Sequence, residues 1–86
     1  MKYSFFNERE FENRTGLSFH MQEFAKQQIQ YGEKLVFNIA HQDKNRENIY
    51  TAKYDVLNNS GDTLYCLIVK LDIQTNDYSF IKSDIR

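Results

Sequence analysis

The side chains of this chain whose types and positions could combine into a reactive or metal-binding set are Cys66, His20, His41, Asp55 and Asp72. A nucleophilic cysteine needs a lowered pKa, from a cation or a helix N-terminus, and a base within hydrogen-bond reach. A zinc site needs Cys and His side chains that converge from one side at ligand spacing. Whether any of these residues meet is decided by the elements that position them.

The chain has 86 residues, which fits one domain spanning 1–86 with a small core. It is 41% hydrophobic and 15% aromatic, a globular rather than a disordered composition. Seven Phe and six Tyr offer large buried areas per residue, one way for a short chain to build a core. Twelve acidic residues nearly balance eleven basic ones, so the electrostatic term that dominates nucleic-acid binding is missing. One cysteine cannot form an internal disulfide. The opening "MKYSFFNERE" turns charged too early for a signal-peptide core, and no apolar run reaches the roughly 20 residues that span a bilayer. A soluble, cytoplasmic protein with neither nucleic acid nor membrane as partner is the expectation.

Two helices are expected at the N-terminal end. In "FFNEREFENRTG", Asn7 and Glu10 have the spacing of a capping box, and Phe6 and Phe11 that of a hydrophobic staple. Gly16 supplies the left-handed stop, so a short helix over about 8–14 closes an N-terminal segment of 1–16. The main helix is expected within 17–32, starting at Ser18. Leu17, Met21, Phe24, Ala25 and Ile29 form its apolar stripe.

Residues 33–86 read as strands. Alternation sets Leu35, Phe37, Ile39 and His41 on one face, then Tyr50, Ala52, Tyr54 and Val56, then Tyr65, Leu67, Val69, Leu71 and Ile73. A two-residue loop at Ser60-Gly61 pairs Val56 with Tyr65, Tyr54 with Leu67, Ala52 with Val69 and Tyr50 with Leu71, apolar against apolar throughout. "IQTNDY" closes a further hairpin with Ile73 against Tyr78 and Leu71 against Phe80, while in the last strand Tyr78/Phe80 and Ile81/Ile85 compete for the core. The short connections leave no room for crossover helices, so the sheet is a four-stranded antiparallel meander. The fold class is α+β, with the long helix packed on one sheet face. In outline this arrangement is similar to the cystatin-like architecture, in which a sheet wraps one long helix; the likeness is one of shape, without a shared motif.

On this scaffold the chemical residues separate. Cys66 falls on the sheet face away from the helix, across from Asp55, whose charge disfavours a thiolate. Both histidines are expected on the helix side, out of reach through the sheet, so Cys66 reads as a packing residue and no catalytic set is recognised. Metals are unexpected on the same ground, and the three glycines all have cap or turn roles, leaving no phosphate loop and no cofactor.

The face that carries Cys66 is mixed rather than polar. Leu57, Leu64, Cys66 and Ile68 give it apolar content, next to Lys53, Asp55 and Lys70. An apolar patch rimmed by polar residues is a candidate interaction surface. The competing reading is that Phe5, Phe6 and Phe11 fold across it and bury it. The leading functional expectation is therefore a protein-binding module of the inhibitor, immunity or regulatory type. It would dock through this face or the 42–48 loop, on another protein or a second copy. The alternative is a small-ligand binder or enzyme with a pocket between helix and sheet, near Tyr50, Tyr54 and His41.

Overall fold

The computed structural model describes residues 5–83. The chain runs β1 (Phe5–Phe6), α1 (Glu8–Thr15), α2 (Ser18–Lys26), β2 (Lys34–Gln42), β3 (Ile49–Leu57), β4 (Thr63–Asp72) and β5 (Asp77–Ser83). The strands form one antiparallel sheet in the order β1-β2-β3-β4-β5, with both helices on the same face. The sheet is five-stranded rather than the expected four. The additional strand is Phe5–Phe6, which pairs with His41 and Ala40 on the outer edge of β2. Two residues are too short for alternation to reveal.

The first helix forms as its ends dictate. Asn7 Oδ1 accepts from Glu10 N at 2.8 Å, and Glu10 Oε1 accepts from Asn7 N at 3.0 Å, which completes the capping box. Gly16 ends the helix in the left-handed region at φ 70°. Glu12 then bridges the joint, its carboxylate accepting from Ser18 N at 3.1 Å at the start of α2, where Leu17 offers no side-chain cap. The second helix is shorter than expected and stops at Lys26. Beyond it the chain tightens into turns, with Gln27 N and Gln28 N donating back to Phe24 O and Ala25 O. The expected stripe still faces the sheet: Met21 and Ala25 are buried, and Leu17, Phe24 and Ile29 pack at the margin.

Phe11 is the centre of the core. It is fully buried, with Phe6, Phe37 and Tyr50 at ring-centroid distances of 6.4, 6.3 and 6.0 Å. Ala40 and Ala52 are paired neighbours on the same face, and their small side chains let the helices approach the sheet. Phe24 continues the aromatic layer over Tyr78 at 4.8 Å and Phe80 at 6.1 Å. Tyr78 and Phe80 therefore take the helix side of the last strand and Ile81 the other face, while Ile85 lies outside the described residues.

Between β3 and β4 the four expected pairs all occur. The loop that produces them differs. Asn58 O accepts from Gly61 N at 3.0 Å and Asn58 N donates to Asp62 O at 2.9 Å, a three-residue loop with Gly61 at φ 89°. That loop displaces the ladder by one residue, so Leu57 meets Thr63. Leu64 then bulges out and restores the expected register from Val56 onward. The β4–β5 hairpin is two residues away from expectation: Leu71 meets Tyr78 and Val69 meets Phe80. The faces are unchanged because the offset is even, but Ile73 leaves the core for an exposed turn.

Between β2 and β3 the change does alter the faces. The register shifts between Phe37 and Ile39, leaving Asn38 outside the ladder. Leu35 and Phe37 keep the helix side, whereas Ala40 takes the place expected of Ile39. Ile39 and His41, read from alternation as core-facing, pair with Lys53 and Thr51 on the opposite face.

Tyr54 is fully buried beneath the helices, and its hydroxyl has no hydrogen-bond partner. An unpaired buried hydroxyl costs about 1–3 kcal/mol. Replacing it by Tyr54→Phe should raise stability by about 1 kcal/mol in urea unfolding, whereas Phe11→Ala should cost about 3–5 kcal/mol. Loss of stability in Tyr54→Phe would contradict the orphaned hydroxyl.

Candidate functional site

The face of the sheet away from the helices is laid out in transverse rows. One runs Val36, Asp55, Cys66 and Ser83, the next Ile39, Lys53, Ile68 and Ile81, and the third Phe5, His41, Thr51, Lys70 and Ser79. Of the residues expected at a partner-binding patch, Lys53, Asp55, Leu57, Cys66, Ile68 and Lys70 all lie on this face. Leu64 is instead the unpaired residue of the β4 bulge, beside the ladder and 44% exposed.

The patch is larger than expected. Val36, Ile39 and Ile81 extend it, and Ile81 is 58% exposed. Ile39 was missed because the bulge at Asn38 inverts the facing of everything after it. The available signal was Asn38 itself, a residue depleted in strands, set between two strong strand formers. The competing expectation, that the N-terminal segment covers this face, is overturned for residues 5–16. Phe6 and Phe11 are buried on the helix side, and Phe5 alone stands on the open side, at the edge beside His41 with ring centroids 5.6 Å apart.

Cys66 sits in the middle of the open face, yet its neighbours shield it from solvent. Its thiol donates to Asp55 Oδ1 at 3.4 Å, and Asn38 Nδ2 lies 3.4 Å from both oxygens of the same carboxylate. Burial and then the bond to Asp55 push the thiol pKa up, against a small opposing effect from Lys53. The expected separation of Cys66 from a base survives for a different reason. His41 is on the same face after all, but its row lies four residues along the strands from that of Cys66, about 13 Å. His20 is exposed on α2, across the sheet. Among the described residues no three His, Cys, Asp or Glu side chains come together as metal ligands.

Nor do Tyr50, Tyr54 and His41 line one cavity. Tyr54 is closed over by packing, and His41 lies on the opposite face. Two grooves lie elsewhere. An open one of about 650 Å³ is bordered by Lys26, Ile29, Tyr31 and Leu35, and a smaller one of about 460 Å³ between the helices by Glu8, Glu12, Ser18 and Phe19.

The 42–48 loop is held by its own polar groups. Asp43 Oδ1 accepts from Asn45 N and Arg46 N, and Gln42 Nε2 donates to Glu47 O at 2.8 Å. Asn48 Nδ2 donates to Asp72 Oδ1 at 2.7 Å, and Asn48 O accepts from Ile73 N at 2.8 Å. The loop is thereby tied to the adjoining turn, with Lys44, Asn45, Arg46 and Glu47 facing solvent. The bond from Asn48 holds the Asp72 carboxyl below its ordinary range, helped by the backbone N–H groups of Gln74 and Thr75.

Two measurements follow from this geometry. The thiol of Cys66 should react with iodoacetamide at pH 8 at least tenfold more slowly than in the urea-unfolded chain, and Asp55→Asn should speed the folded protein. Because the Asp72 pKa is lower in the folded state, its stabilising contribution is complete above the unfolded value of about 4 and is lost as pH falls below it. Asn48→Ala should weaken that acid dependence and raise the Asp72 midpoint seen by NMR; an unmoved midpoint would remove Asn48 as its cause.

No helix among the described residues is long and apolar enough to cross a membrane. Compared with known protein families, with curated proteins and with solved structures, the chain matches none of them.

Proposed function

We propose that this chain is a small cytoplasmic protein-binding module, of the inhibitor, immunity or regulatory type, that docks its open sheet face on another protein. The observation that carries this reading is the row Ile39, Lys53, Ile68 and Ile81, apolar but for one lysine, on a face that neither helix covers. Acidic and basic groups stand on either side of it, Asp55 in one neighbouring row and Lys70 in the other. An apolar centre with a charged rim is the usual anatomy of a protein interface. The tied 42–48 loop would adjoin this surface and add contacts that need little ordering on binding. The cystatin-like outline belongs to the same proposal, as do the cytoplasmic setting, with which a lone thiol is compatible, and the absence of catalysis.

Lysate of the native organism passed over tagged wild-type protein, beside the Ile68→Asp and Lys53→Glu variants, tests the reading. The expected result is one stoichiometric partner, retained by wild type and lost at least tenfold by both variants. Both should remain folded by circular dichroism. Equal retention by wild type and two folded variants would place the interaction somewhere other than the open face.

A further inference from the structure

The two lysines of the open face have similar surroundings. Lys53 stands between Ile39 and Ile68 in the apolar row, and Lys70 is one strand over and two residues along, about 8 Å away. Each has a carboxylate two residues further on along its own strand and on the same face, Asp55 and Asp72. Neither makes the ion pair: among the described residues no carboxylate lies within ion-pair distance of either ammonium. Asparagines hold both carboxylates instead. Asn38 Nδ2 lies 3.4 Å from both oxygens of Asp55, and the Cys66 thiol donates to one of them. Asn48 Nδ2 and the backbone N–H of Gln74 donate to Asp72 Oδ1 at 2.7 and 2.9 Å. Lys70 acts on Asp43 of the 42–48 loop only from beyond ion-pair distance. The acids next to the lysines are thus satisfied within the chain, and the two cations are left to solvent.

In the free protein this arrangement costs little, because water solvates the ammonium groups and a surface ion pair contributes little. Lys53 is nevertheless half-buried already, flanked by isoleucines. A partner that covers the apolar row removes the remaining water, and a charge buried without a counter-ion is strongly unfavourable. We propose that the protein docked on the open face presents two carboxylates, about 8 Å apart in an apolar surround, that pair with Lys53 and Lys70. The pairing rests on the docking proposed above and adds the partner's chemistry to it. Phosphates fit this face less well than carboxylates. Nucleic acid or anionic lipid headgroups would bring an array of phosphates against Asp55, Asp72 and Asp77, which share the face, and would set polar groups over Ile39, Ile68 and Ile81. Carboxylates on a protein surface can stand singly among apolar neighbours.

The partner that wild type retains from nuclease-treated, membrane-free lysate is the probe, compared on columns of Ile68→Asp, Lys53→Met and Lys70→Met. Lys53→Met keeps an unbranched side chain and removes the charge, so the sign of its effect is decisive. A wholly apolar partner surface would bind it more tightly than wild type. A surface with a carboxylate opposite should bind it at least tenfold more weakly, and Lys53→Arg should restore retention. Lys70→Met, at an exposed position, should weaken retention in the same direction. Wild type gives a reading that no variant's folding can affect. A carbodiimide, which joins an ammonium to a carboxylate in contact with it, should link position 53 or 70 to an Asp or Glu of the partner. No retained partner, or one held equally by folded Ile68→Asp, would overturn the docking and this pairing with it. A partner lost from Ile68→Asp but held by both methionine variants as well as by wild type, with no link at 53 or 70, would overturn the carboxylates alone. Retention that requires nucleic acid or membrane in the lysate would put phosphates opposite the lysines and overturn the pairing too.

Discussion

The burial of Phe11 decides how the two sides of this sheet differ. It is the side chain through which the N-terminal segment reaches Phe37 and Tyr50, and it is held there by a helix whose two ends are both specified locally. The capping box orients the first turn and Gly16 turns the chain toward α2. With Phe6 stacked on the same ring, the segment is committed to one face. A chain of this length has few large side chains to spare, and its main aromatic layer lies on the side where Phe11 is. On the opposite face stand β-branched residues, charges, one thiol, His41 and the edge residue Phe5, while Phe6 and Phe11 are buried on the helix side and do not cover it.

That division was largely legible in the sequence wherever a short-range rule applied without exception. Asn7, Glu10 and Gly16 stand at spacings that have one common structural meaning, and each took the role expected of it. The β3–β4 pairing was also legible, because four apolar pairs align in only one register. The turn underneath was misread, yet the register held: a displacement at Gly61 and a second at Leu64 cancel. Burial of four pairs outweighs the preference of any one turn, so the ladder determined where the irregularities had to go rather than the reverse.

What stayed illegible depends on single inserted residues and on chain ends. Alternation carries no mark of a bulge, so one unpaired residue at Asn38 moved Ile39 and His41 to the other face. The consequence reaches the site, because Ile39 completes the apolar row and His41 joins the face of Cys66. The second helix was read as longer than it is because Gln27 and Gln28 are compatible with helix, whereas the chain leaves α2 through turns that bring Ile29 to the core margin. A two-residue strand such as β1 has no periodicity at all. Its existence follows from the staple that anchors Phe6 and leaves Phe5 beside β2.

The same constraints hold apart the thiol and the imidazole that the open face gathers. Burial and then the hydrogen bond to Asp55 stabilise the thiol of Cys66 over the thiolate, and Lys53 offsets only part of that effect. His41 is too far along the strands to take the proton. A catalytic pair would need both residues in one row, and the strand rise of about 3.3 Å per residue separates them by four steps. What this face does present is shape and charge: a flat row of Ile39, Ile68 and Ile81 around Lys53, between Asp55 and Lys70, on a sheet stiffened from behind by aromatic packing. The docking proposed above would use that surface as it stands, because side chains already held by packing from behind lose little entropy when a partner covers them.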